Sequence, residues 1–157
     1  MTERELLRQL VATIAYRGGK VVRDAPEGFG SFRAGEGSRR AGRILAHVGD
    51  LFDWAVALAD GESRWSDTRE HDWEAQVERF WSGLAALDRR LASEEPLGGP
   101  AARLISGPRA DALAHVGQLA MLRRLAGAPV KGENYYVAEV EIGRVGPDQN
   151  PPVFEFG

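Results

Sequence analysis

The sequence predicts an all-α protein, a four-helix bundle with an extended C-terminal tail. Three observations carry the prediction. Four segments repeat apolar residues at intervals of three and four, the period of a helix with one buried face. Glycine- and proline-rich stretches such as "DAPEGFGSFRAGEG" and "EEPLGGP" separate these segments. After residue 127 the pattern changes to alternation, the signature of extended chain. A chain of 157 residues suits one domain, with residues 1–127 forming the bundle and 128–157 the tail.

The first helix is expected over about 3–23, where Leu6, Leu7, Leu10, Val11 and Ile14 share a face. Gly18 and Gly19 weaken its second half, where it is expected to end or bend. The second helix is expected from Ser38, as N-cap, to Asp60-Gly61. Asp67 or Thr68 would cap a third over about 69–94, with Trp73, Val77, Phe80, Trp81, Leu84 and Leu87 on its apolar face. A fourth would start at Ser106-Gly107-Pro108, proline being tolerated in a first turn, and end at Gly127. Arg123 and Arg124 sit in its last turn, where cations suit the helix end. In the tail, Tyr136, Ala138, Val140 and Ile142 fall on one side of a strand, with Glu139 and Glu141 opposite. Val153, Phe154 and Phe156 would anchor the turn-rich end. A lone strand is not a sheet, so the tail is expected to pack across the bundle or onto a second subunit.

Composition narrows the function classes. Twenty basic and 23 acidic residues give a formal charge of −3, so no basic field argues for nucleic acid or an anionic membrane. No window approaches the roughly 18 apolar residues of a membrane span. The start "MTERELLRQL" lacks the apolar core of a signal peptide, and cytoplasmic residence is the expectation. There is no cysteine. Any metal would use His, Asp or Glu, and any thiol nucleophile would come from outside the chain.

The pentapeptide "LAHVG" occurs at 45–49 and again at 113–117, each copy holding one of three histidines. In the second helix Ile44, His47, Leu51, Trp54 and Leu58 follow the seam spacing of a bundle. In the fourth, Asp111, His115, Gln118, Leu122 and Leu125 form a similar stripe, with Asp111 one turn before His115. An imidazole in an apolar seam needs partners, because an unsatisfied buried polar group costs about 1–3 kcal/mol. A divalent ion held by His47, Asp111 and His115 would supply them and leave positions open for water or substrate. The alternative is that each histidine is a satisfied core or boundary residue.

A histidine in the second helix, then "DALAHVGQLAMLRRLAG", then "GENYYVAEVEIGRVGPDQ", resembles the DinB/YfiT-like metalloenzymes over nearly the whole chain. The resemblance implies an up-down-down-up bundle, often dimeric. It also implies a metal triad of one histidine from the second helix and an H-x-x-x-H pair on the fourth. His47 and His115 match two of these positions, and Asp111 replaces the third histidine. Carboxylate is a competent ligand for zinc, nickel, iron or manganese. Relatives that use mycothiol, bacillithiol or similar cofactors imply a thiol-dependent S-transferase acting on small electrophiles in stress response or detoxification. Its partners would then be a small-molecule substrate, a low-molecular-weight thiol and a second copy of the chain. The alternative class is a non-catalytic, dimeric metal- or ligand-binding stress-response bundle. The sequence offers no independent general base.

Secondary features have plainer readings. Gln118 could hydrogen-bond a ligand or stand at the bundle edge, and Trp54 could wall the pocket. Gly49 and Gly117 are expected to let neighbouring helices approach. His71, beside Arg69, Glu70 and Asp72, reads as a solvated imidazole, with a triad using it as the rival to Asp111. "GFGSFRAGEG" lacks both a preceding strand and a following Gly-Lys-Ser/Thr, so it is a connection rather than a phosphate loop, with a place at the mouth of the site.

Overall fold

The computed structural model describes residues 1–69 and 72–157. Four long helical stretches dominate it, so the protein is all-α. Helix α1 spans Glu3–Val22, α2 Ala41–Ala59 and α3 Trp73–Ala92. The last stretch comprises α4 (Ala101–Leu104), a π turn (Ile105–Arg109) and α5 (Ala110–Leu125). Leu7, Val11 and Ile14 of α1 share one buried core with Leu45, Leu51 and Phe52 of α2, Phe80, Leu84 and Leu87 of α3, and Val116 and Leu119 of α5. No helix among the described residues is long and apolar enough to cross a membrane.

Contacts between side chains give the helix directions. Arg79 reaches Ala46 and Asp50, while Arg90 reaches Ala59 and Asp60, so α2 and α3 run parallel. Arg8 binds Asp88, and a Cβ on Gly18 would strike Phe80, so α3 is antiparallel to α1. The same Cβ would touch Val116, and Arg123 bonds the carbonyl of Val21, so α5 runs parallel to α1.

Helix α1 begins at a capping box: Thr2 accepts from the Glu5 amide and Glu5 accepts from the Thr2 amide. It does not stop at Gly18-Gly19. The missing side chains admit two aromatic rings of α3, since a Cβ on Gly18 would lie 2.5 Å from Phe80 and one on Gly19 3.0 Å from Trp81. Ring burial there offsets the roughly 1 kcal/mol helix cost of each glycine.

Three helix starts differ from expectation. Helix α2 begins at Ala41 rather than at Ser38, whose hydroxyl closes a local turn with Gly35. Helix α3 is capped by Asp72, which accepts from the Ala75 amide. Asp67 is instead taken by Arg43, and the Thr68 amide donates to Asp50. The final helical stretch starts at Ala101, with Pro100 as its cap, rather than at Ser106. Proline lacks an amide hydrogen and cannot continue the regular ladder. The chain kinks there: Gly107, at φ −84° and ψ −107°, leaves the helical region, so α4 precedes the kink and Pro108 stands at the entry to the helix that continues as α5.

Arg109 closes the π turn and is an anomaly. It is 1% exposed, and all three guanidinium nitrogens lack a hydrogen-bond partner among the described residues. Burial lowers its pKa to about 10. An unpaired buried charge is a net cost, and an apolar residue of similar volume removes it. Arg109→Met is therefore expected to raise folding stability by roughly 1–4 kcal/mol. Urea unfolding checks this as an increased midpoint without a changed slope.

The tail departs most from the sequence reading. Residues 136–142 form no ladder, although Ala138, Val140 and Ile142 are half-buried while Glu139 and Glu141 are exposed. The alternation therefore records contact on one side rather than strand pairing. The only ladder among the described residues joins β1 (Gly132–Glu133) to β2 (Glu155–Phe156), antiparallel, with Gly132 opposite Phe156. Tyr136 is almost fully exposed, and Val153, Phe154 and Phe156 are more than half exposed rather than anchored. Glu133, fully buried at its side chain, accepts from the Tyr16 hydroxyl at 2.5 Å and from Lys20 Nζ at 2.8 Å. The Arg17 guanidinium lies 4.2 Å from the centre of the Tyr135 ring.

Candidate metal centre

His47 and His115 come from antiparallel neighbours, α2 and α5. Their spacing on each helix brings the rings edge to face, with centroids 4.7 Å apart. Asp111, one turn before His115, lies between them. Its Oδ2 is 3.5 Å from His47 Nε2, and its Oδ1 is 3.4 Å from His115 Nε2. One ligand atom from each residue lies within 4.8 Å of those of the other two. These separations exceed the usual 2.7–3.2 Å of an N–H···O bond. The two carboxylate–imidazole separations match the roughly 3.3 Å between donor atoms placed about 2.0–2.1 Å from one tetrahedral ion, and the wider spacing, up to 4.8 Å, would have to close around it. The donor set, two imidazoles and a carboxylate, suits zinc and its first-row neighbours. Fit and chemistry therefore agree that this group could hold a metal ion.

The electrostatics favour ligation at neutral pH. Burial, and next the charge of His115, lower the His47 pKa below its ordinary value, and Asp111 only partly opposes this. The imidazole is then neutral and its lone pair available. Gln118 Oε1 lies 2.8 Å from His115 Nδ1. An amide oxygen only accepts, so Nδ1 carries the hydrogen and Nε2 faces Asp111 with its lone pair free. Gln118→Ala is expected to weaken metal affinity by about 10–100-fold, the usual effect of losing such a partner. A competition titration against a chromophoric chelator measures it.

The surroundings form an open groove of about 660 Å³ between α2 and α5, lined by Ile44, His47, Asp111, His115, Gln118, Met121, Leu122 and Leu125, with Ala34, Ser38 and Arg39 at its mouth. The glycine-rich connection thus contributes Ala34 to the mouth of the site. The stripe on α5 is less inward than its spacing implies. Asp111, Gln118 and Leu125 are exposed, while Ala112, Val116 and Leu119 enter the core. The histidines stand at the core's edge, where water or substrate can reach them.

Several neighbours play other parts than the sequence implied. The aromatic ring beside His47 is Trp65, 5.7 Å away, and Trp54 stands behind it, edge-on at 5.6 Å. Trp65 lies in the polar run "GESRWSDTRE", and a lone tryptophan there was the available signal. Gly49 does serve close approach, since a Cβ there would lie 2.5 Å from the Arg79 guanidinium, but Gly117 faces open space. Arg123 does serve helix ends, donating to the carbonyls of Val21, Arg23, Asp24 and Ala128. His71 lies outside the described residues, and with it the rival triad. A second cavity, of about 520 Å³, borders the tail, but its Lys20 and Glu133 already satisfy each other.

Comparison with protein-family models, curated proteins and solved structures gives no match for this chain.

Proposed function

We propose that the protein is a divalent-metal-dependent S-transferase of the DinB/YfiT-like type, joining a low-molecular-weight thiol to a small electrophile. The observation that carries this reading is the triad itself. Two imidazoles and a carboxylate from two helices converge at the edge of an open groove rather than in a sealed core. A structural site is normally closed by four protein ligands, whereas three with open access suit catalysis. The helix directions support the same reading, since α1 up, α2 and α3 down, and α5 up is the order of an up-down-down-up four-helix bundle.

His47, Asp111 and His115 would hold the ion, and Gln118 would fix the His115 tautomer. The ion would supply Lewis acidity, which depresses the pKa of a thiol so that it reacts as thiolate near neutral pH. The thiol must be free, because the chain has no cysteine. In the transfer, sulfur forms a bond to the electrophilic carbon, the leaving group departs with its electron pair, and the thiol proton passes to solvent. The apolar walls of Ile44 and Leu122 hold the electrophile. The exposed Val153, Phe154 and Phe156 support a homodimer in which a second copy covers them.

The test is turnover of chlorodinitrobenzene by metal-loaded protein with mycothiol, bacillithiol, glutathione and cysteine in turn. Turnover with at least one thiol, lost in His115→Ala, is expected. Full metal occupancy without turnover by any of the four would instead favour a non-catalytic metal-binding protein.

A further inference from the structure

The groove is asymmetric along its length, and the asymmetry bears on what occupies it. Its inner end is the triad. Its floor is apolar, and two of its members, Met121 and Leu125, are more than half exposed. Large apolar side chains of this kind gain from being covered. The outer end carries Arg39, an exposed cation lining the mouth beside Ser38. No salt bridge among the described residues involves Arg39. By contrast, Arg43, one turn on, is held by Asp67 and the Thr68 carbonyl. The N-terminus of α2 has no side-chain cap and points its positive end the same way. From Ala41 to His47 the helix rises about 9 Å, at 1.5 Å per residue. The only carboxylate lining the groove among the described residues, Asp111, lies at the opposite end between the two histidines.

We propose that the groove binds an amphipathic organic anion, with its anionic group at Arg39, its apolar body over Ile44, Met121, Leu122 and Leu125, and its far end at the triad. The substrate class is then an apolar electrophile carrying a carboxylate, sulfonate or phosphate at the end opposite its reactive carbon. This deepens the transferase reading and rests on it for the reactive end alone. Arg39 is the specificity-determining residue, because it fixes which end of the molecule enters first. An arginine fork suits such an oxyanion better than a lysine would.

The experiment uses chelator-treated protein, so binding is read without the metal. Octanesulfonate, a weak metal ligand with a strong anionic head, is titrated calorimetrically against octyltrimethylammonium, which has the same chain and opposite charge. Octanesulfonate is expected to bind at least tenfold tighter. Arg39→Glu should abolish that preference, and Leu125→Ser should weaken binding while keeping it. A preference below tenfold, or one that survives in Arg39→Glu, overturns the proposal. Loss of metal binding alone would sink the transferase reading and leave these titrations unchanged, so the two failures are distinguishable.

Discussion

Alanine at His47 or His115 is expected to lower divalent-metal affinity by on the order of a hundredfold or more, with the helical fold intact. Each substitution removes one of three donors and leaves the ion with two. Both histidines stand at the edge of the core rather than inside it, with side chains 20% and 12% exposed. The rings are largely covered, so their removal also costs some packing, and the fold is checked separately. Asp111→Ala should be comparably damaging, because the carboxylate is the only negative charge in the set and lies between both rings. Asp111→Asn separates charge from shape and should also weaken binding. Asp111→His should restore it, because it recreates an H-x-x-x-H pair on α5 with room at a half-exposed position. Isothermal titration with zinc reads all of these, and circular dichroism checks the fold. Equal affinity in the native protein and all three alanine variants would place the metal elsewhere.

Glu133→Ala is expected to destabilise the fold by about 3–5 kcal/mol, the usual result of stripping one partner from a buried pair. Its side chain is fully buried and joins two groups of α1, the Tyr16 hydroxyl and the Lys20 ammonium. Removing it leaves the buried Tyr16 hydroxyl without a partner and the largely buried Lys20 ammonium with only Glu155, at 3.5 Å. Because Glu133 belongs to β1, the loss also frees the segment that pairs with β2. In a chain of this length the change corresponds to a fall in Tm of roughly 10 °C. Differential scanning calorimetry measures it. Glu133→Gln should cost less, because an amide oxygen can still accept from Tyr16. Equal losses in both variants would mean that the negative charge, and not the hydrogen-bond acceptor, carries the stabilisation.

The sequence made α1, α2 and α3 legible because each buries a continuous stripe, and a stripe forces the helical period. It made the triad legible for the same reason: Asp111 and His115 are one turn apart, and His47 lies on a seam. Boundaries were harder. Ser38, Asp67 and Thr68 are all competent caps, and tertiary contacts with Gly35, Arg43 and Asp50 decided against them. Pro108 suggested a start because proline suits first turns, and the chain does kink at Gly107; what local pattern missed is the short helix Ala101–Leu104 before the kink. Gly18 and Gly19 suggested an end because their partners, Phe80 and Trp81, are sixty residues away in the chain and invisible to local pattern. Trp65 and Arg39 escaped for a related reason. Both come from connections, and connections carry no period that says which way a side chain points. In the tail, Glu133 looked like one more acidic residue, and only the approach of Tyr16 and Lys20 gives it a structural part.

The central claim is that His47, Asp111 and His115 hold one ion. Crystals of protein purified without chelator and supplied with zinc test it through an anomalous difference map collected above the zinc edge. The account predicts a single strong peak about 2.0–2.2 Å from one nitrogen of each histidine and one oxygen of Asp111. A map with zinc bound at other residues, or with no peak between these three, would contradict it.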